Sequence, residues 1–108
     1  MIANSAKTVT AAYTIKPDDS TILCDATSAA FTVTLPAAKY SGTAGDTLHF
    51  SIIKLDSGGN AITVAAAGSD TIIGSATFTG IVDQYDMVML QSDGKSIWYV
   101  LSASPGPG

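Results

Sequence analysis

The chain contains no arginine and no glutamate. That gap constrains the fold more than any motif does. Arg and Glu are strong helix formers, and here Thr, Ser, Ala, Gly and scattered Asp fill most polar and small positions. Asp and Gly disfavour helix interiors, whereas Thr, Val and Ile suit strands. The chain therefore reads as all-β from end to end. The same gap removes most of the side chains that carry catalysis or bind nucleic acid. It turns the functional reading toward a structural or binding module.

A length of 108 residues reads as one domain with a modest core. A net charge of −4 has the wrong sign for nucleic acid and for an anionic membrane surface. The apolar runs are a handful of residues, against the roughly 20 that a spanning helix needs. The opening residues lack the apolar region of a signal peptide. The expectation is a soluble chain made in the cytoplasm. Cys24 is the single cysteine, so no intrachain disulfide can form. It shares a strand face with Ile22 and reads as a small buried hydrophobe. Asp25 beside it has the wrong sign for activating a thiol.

Residues 1–12 are small and polar with little period and read as an extended N-terminal arm. Residues 13–102 read as the β-domain, and 103–108 as a flexible Pro/Gly tail. Strands are expected over 13–16, 21–24, 31–35, 47–54, 61–65, 71–73 and 76–82. A hairpin pairs 86–91 with 96–101 across Ser92-Asp93-Gly94-Lys95. Leu48, Phe50 and Ile52 fall on one face of their strand, and Ile62 and Val64 point inward on theirs. Turn signals every ten or so residues fit an antiparallel β-sandwich or barrel-like domain. In the last hairpin both strand faces are apolar, and such a strand must be covered on both sides. The expectation is a homo-oligomer with Met87, Met89, Trp98 and Leu101 at the subunit interface.

Candidate chemistry is sparse. His49 is the single histidine and lies on the strand face with Thr47, Ser51 and Ile53, which suits a surface or interface residue. No nucleophile elbow such as G-x-S-x-G occurs. One His and one Cys do not make a zinc site. Most Asp residues sit in obvious turns, and the exceptions, Asp46, Asp83 and Asp86, are isolated in spacing from a paired-carboxylate arrangement. Asp56-Ser57-Gly58-Gly59-Asn60 lacks the alternating oxygens and distal Glu of a calcium loop and reads as a hairpin turn. A metal held on a symmetry axis by Asp or His49 is not visible in one chain. Trp98 and Tyr99 lie in the most apolar strand and read as core or interface. Tyr40, in Lys39-Tyr40-Ser41-Gly42, is the candidate exposed ligand contact.

Several short stretches are familiar in their order and spacing. They are Tyr13-Thr14-Ile15, Ile22 to Thr27, Phe31-Thr32-Val33-Thr34-Leu35-Pro36, Gly45-Asp46, Ile53-Lys54, Asp56-Ser57, and Asn60 to Val64. Gly74, Gln84-Tyr85, Ser92-Asp93-Gly94 and Trp98-Tyr99-Val100 complete the series. Over residues 13–102 the chain resembles a β-rich module of tailed-bacteriophage virion proteins, found in head fibres, capsid decoration proteins and tail-fibre segments. Ile73 stands where such modules carry an acidic residue, and Cys24 where a Val is usual. The resemblance implies a trimer of β-folded chains with no enzymatic activity and no cofactor. The expected partners are a second and third copy of the chain and the major capsid protein of a phage, with no nucleic acid and no membrane. A module this short suits a protein that docks on a pre-built shell, so the expected place is the capsid surface of the virion. There it would be a decoration or head-fibre protein, with Ile2, Lys7 and Val9 of the arm touching the capsid. The alternative expectation is a tail-fibre, receptor-binding module that meets a host surface glycan.

Overall fold

Alternation with a period of two governs nearly every strand, and it sorts the side chains into two stacked sheets around one core. The computed structural model describes residues 6–16, 18–39 and 48–104. Ten strands follow in chain order: β1 (Ala6–Val9), β2 (Tyr13–Thr14), β3 (Thr21–Cys24), β4 (Phe31–Thr34), β5 (His49–Lys54), β6 (Ile62–Ala65), β7 (Thr71–Ile72), β8 (Thr77–Ile81), β9 (Met87–Ser92) and β10 (Ile97–Ser104). Among the described residues there is no helix. One sheet has the order β1-β3-β5-β9-β10-β7 and the other β2-β4-β6-β8.

Up to β9 the chain crosses from one sheet to the other after every strand. Successive visits to a sheet lie side by side and parallel: β1 with β3, β3 with β5, β2 with β4, and β4 with β6. The result is a flattened solenoid of three coils. Backbone bonds carry the stacking through the corners, as from Asp25 N–H to Val9 O at 2.9 Å and from Leu55 N–H to Cys24 O at 2.7 Å. The coils are then closed by antiparallel partners, β9 on β5 and β8 on β6. The expected antiparallel sandwich is thus corrected to a pair of mixed sheets. Its expected all-β, two-layer character stands. The 56–60 turn is likewise not a hairpin, because it leads from β5 in one sheet to β6 in the other.

The inner faces meet in one apolar core. Phe50 and Ile52 of β5 are fully buried, as are Ile62 and Val64 of β6 and Ile22 and Cys24 of β3. Val88 and Leu90 of β9 join them. The domain boundaries also shift. Residues 6–9 are not an arm but an edge strand of the domain, paired along β3, with Val9 in the core. At the other end β10 runs on to Ser104 and takes in the start of the expected tail.

Aspartates fasten the turns, since a short carboxylate can accept several backbone N–H groups at once. Asp93 Oδ1 accepts from Lys95, Ser96 and Ile97 and so sets the β9–β10 hairpin, with Gly94 at a φ of 80°. Asp70 accepts from the Ala38 N–H, and Asp86 from those of Val82 and Asp83. Asp86, isolated in the sequence, is therefore a turn residue as well.

One turn uses the wrong residue for its geometry. Ile72 and Ser75 exchange backbone hydrogen bonds around Ile73-Gly74, whose φ angles are 40° and 90°. A two-residue loop with both φ values positive favours Asn-Gly, and a β-branched residue there is strained. Replacing Ile73→Asn is expected to stabilise the chain by about 1 kcal/mol, since the left-handed region costs an ordinary side chain about 1–2 kcal/mol. Urea denaturation in dilute solution would read it, and an unchanged or lower midpoint would contradict the strain.

Candidate functional site: the outer face of the six-stranded sheet

The two outward faces of the molecule differ in chemistry. On the four-stranded sheet, register sets Thr32 beside Thr63 and Thr14 beside Thr34. These alternate with buried Val33, Val64 and Ile15 and make a hydroxylated surface. On the six-stranded sheet, one outward row runs Thr8, Leu23, Ile53, Met87. The next runs Ala6, Thr21, Ser51, Met89, Ser102, and a third runs His49, Gln91, Tyr99. None of these rows contains a lysine or an aspartate. A β-bulge in β10 between Val100 and Ser102 adds Leu101, which is 56% exposed. Tyr99 is 46% exposed beside it.

The expected interface residues divide accordingly. Met87 and Met89 lie half-buried on this outer face, and Leu101 stands out from it. Trp98 does not belong with them. It points into the core at 0% exposure, its ring 5.7 Å from that of Phe50, so it offers nothing to a second subunit. The reason is the pleat: Trp98 and Tyr99 are neighbours in sequence and must face opposite ways. Of the expected arm contacts, Val9 is buried in the core. The Lys7 ammonium lies 5.3 Å from the centre of the Tyr13 ring. Ile2 and Tyr40 lie outside the described residues. His49 is exposed on the outer face, as its strand position implies.

One polar cluster escaped the sequence reading. Lys54 follows Phe50 and Ile52 on the inner face and is completely buried. Its ammonium donates to Asp56 Oδ2 at 2.8 Å, Asp56 O at 2.9 Å and Gly58 O at 2.8 Å. Asp56 also accepts the N–H of Ala26 at 2.8 Å, and the Asn60 amide donates to Ala26 O at 2.8 Å. Burial pushes the Asp56 carboxyl up, but the Lys54 hydrogen bond, the Ala26 N–H and the Lys54 charge outweigh it and hold it below the usual range. The signal was present in the alternation, because Lys54 has the parity of Phe50 and Ile52. All three ammonium protons are engaged, so this lysine ties one corner of the solenoid to the next rather than serving as a base.

Elsewhere, burial and then the Asp56 charge push the Cys24 thiol up to about 12, which leaves it inert at neutral pH. The Tyr13 hydroxyl, bonded to Asp19 at 2.5 Å, is likewise pushed up to about 12, first by that bond. Among the described residues no three His, Cys, Asp or Glu side chains gather into a group that could hold a metal ion. Asp19, Asp25, Asp56, Asp70, Asp86 and Asp93 each accept a backbone N–H. The arrangement assigns these carboxylates to holding loops. The outer face of the six-stranded sheet mixes Leu23, Ile53, Met87, Met89 and Tyr99 with Thr, Ser, His49 and Gln91, and its rows hold no lysine or aspartate. No protein-family model matches the chain, and no curated protein sequence matches it.

Proposed function

We propose that this chain is a structural subunit of a tailed-phage particle. It assembles with copies of itself through the outer face of the six-stranded sheet and binds the capsid exterior as a decoration or head-fibre protein. The observation that supports the reading is that face: rows of half-buried Leu, Ile and Met among Thr, Ser, His49 and Gln91, without a lysine or aspartate, ending in exposed Tyr99 and Leu101. Charge depletion at the centre of a patch is the compositional mark of a protein interface, and exposed apolar patches point to partners. The opposite face, lined with Thr hydroxyls, is suited to water. The ground for the particle is the resemblance of the motif order to phage virion modules, and a net negative charge limits aggregation of crowded copies.

Immunogold electron microscopy of native particles, with antibody against this chain, tests the proposal. Gold over the head is the expected result. Gold confined to tail tips would replace shell binding with receptor binding, and particles bearing no gold would remove the virion assignment.

A further inference from the structure

Three loops meet at one end of the solenoid. β3 and β5 finish there and β9 begins, so residues 25–30, 55–61 and 82–86 lie side by side. Each loop is fastened to the next. The Ala26 N–H donates to Asp56 Oδ1 at 2.8 Å, and the Asn60 amide donates back to Ala26 O at 2.8 Å. The Gln84 amide donates to Leu55 O at 3.0 Å, and the Asp86 carboxylate accepts from the N–H groups of Val82 and Asp83. The buried Lys54 ammonium adds its bonds to Asp56 and Gly58. A surface ordered before its partner arrives gives up less freedom on binding.

The third loop holds one residue against its backbone preference. The Tyr85 N–H donates to Lys54 O at 2.8 Å and the Lys54 N–H to Asp86 O at 3.1 Å, so Tyr85 and Asp86 together oppose Lys54. This is a β-bulge whose first residue, Tyr85, has a φ of 66°. Glycine ordinarily takes that place, and a bulky side chain there is an outlier. The fold uses little of the ring, because Tyr85 is 47% exposed, and Val82 of the same loop is 43% exposed. Such strain persists where the surrounding bonds over-determine it, and it gathers at contact sites. Tyrosine is also a preferred anchor of protein interfaces, since its large ring is amphipathic.

Charge is divided along the molecule. Lys16, Lys39 and Lys95 lie in the loops of the opposite end. The three loops around Tyr85 contain no lysine, and they carry Asp25, Asp56, Asp83 and Asp86. Lys54 neutralises Asp56, and Asp86 is buried, which leaves Asp25 and exposed Asp83 to set the sign of the surface. An anionic glycan, a nucleic acid or an acidic lipid surface would be repelled there, and a basic protein surface attracted.

We infer that this end of the solenoid is the surface that meets the shell, with Tyr85 as its anchor beside Val82. Its partner is a protein surface that offers an apolar pocket to the Tyr85 ring and surrounds that pocket with Lys or Arg. The inference rests on the capsid-binding reading proposed above and names the surface and the chemistry of its partner.

Co-sedimentation with phage heads assembled without this chain tests it. The unmodified chain is expected to bind them. Asn tolerates the left-handed region, so Tyr85→Asn should unfold in urea at the same midpoint or a higher one, while its affinity for heads falls about tenfold or more. Asp83→Lys and added salt should each weaken binding. Lys95→Ala, at the opposite end, should bind as the unmodified chain does. Equal binding by Tyr85→Asn, or a loss confined to Lys95→Ala, would overturn the inference. So would a lower urea midpoint for Tyr85→Asn, which would assign the ring to the fold. Binding indifferent to both salt and Asp83→Lys would overturn the basic partner. An unmodified chain that fails to bind heads, including one that adheres to host cells instead, would remove the capsid reading itself and this partner with it.

Discussion

Replacing Asp56→Ala should cost about 3–5 kcal/mol of folding stability, because it strands the fully buried ammonium of Lys54 without a counter-charge. Two carbonyl acceptors would remain, Gly58 O and the backbone O of residue 56, but no negative charge would face the cation. The Ala26 N–H would lose its acceptor as well. The reverse substitution, Lys54→Met, should cost less. It leaves a carboxylate whose side chain is 8% exposed and which keeps the N–H groups of Ala26 and Gly58. The Lys54→Met/Asp56→Ala double variant should then fall well short of the sum of the two single costs, as contacting partners do. Urea denaturation of the four proteins at neutral pH measures all of this. A loss below about 1 kcal/mol for Asp56→Ala would show that the ion pair is dispensable.

The same pair sets a direction for acid. The folded-state carboxyl of Asp56 titrates below its unfolded value of about 3.9. Its contribution is therefore complete above that value and is lost as pH falls through the folded one. Asp25, held down first by the Thr27 hydroxyl, and Asp93, held down first by the Ile97 N–H, add to the loss in the same window. Acid unfolding is expected below about pH 4, and Asp56→Asn should flatten it.

Local geometry was legible in the sequence, and strand order was not. The inward positions of Phe50, Ile52, Ile62 and Val64 follow from alternation alone, and the β9–β10 hairpin follows from Ser92-Asp93-Gly94-Lys95. Pairing is non-local. Thr21 lies beside Ser51, and Phe31 beside Ile62, across long stretches of chain whose similarity is little more than an apolar beat. β1 left no side-chain signature, because three of its four residues are exposed and its place is secured by backbone bonds to β3. The candidate site was legible as a hairpin apolar on both faces. Which face is inner depends on the sheet stacked against it, and alternation does not carry that information. Trp98 was therefore grouped with Leu101, although their surroundings are opposite.

That distinction gives the second large effect. Trp98→Ala should cost about 3–5 kcal/mol, the usual range for emptying a buried aromatic site. The void would open against Phe50, whose ring tilts 36° to the indole. Small domains hold about 5–15 kcal/mol in total, so this variant stands near the limit of folding. Trp98→Phe keeps the measurement usable. Its smaller ring gives up packing, but it also deletes the indole N–H, a buried donor with no acceptor among the described residues. Burying an unsatisfied donor costs about 1–3 kcal/mol, so removing it offsets much of the lost contact, and the net change should stay within about 1 kcal/mol. Urea denaturation and sedimentation together separate core from interface. A core Trp98 predicts that the alanine variant unfolds at a lower midpoint at every chain concentration. An alanine variant that kept its fold and merely fell apart into monomers would place the indole between subunits instead.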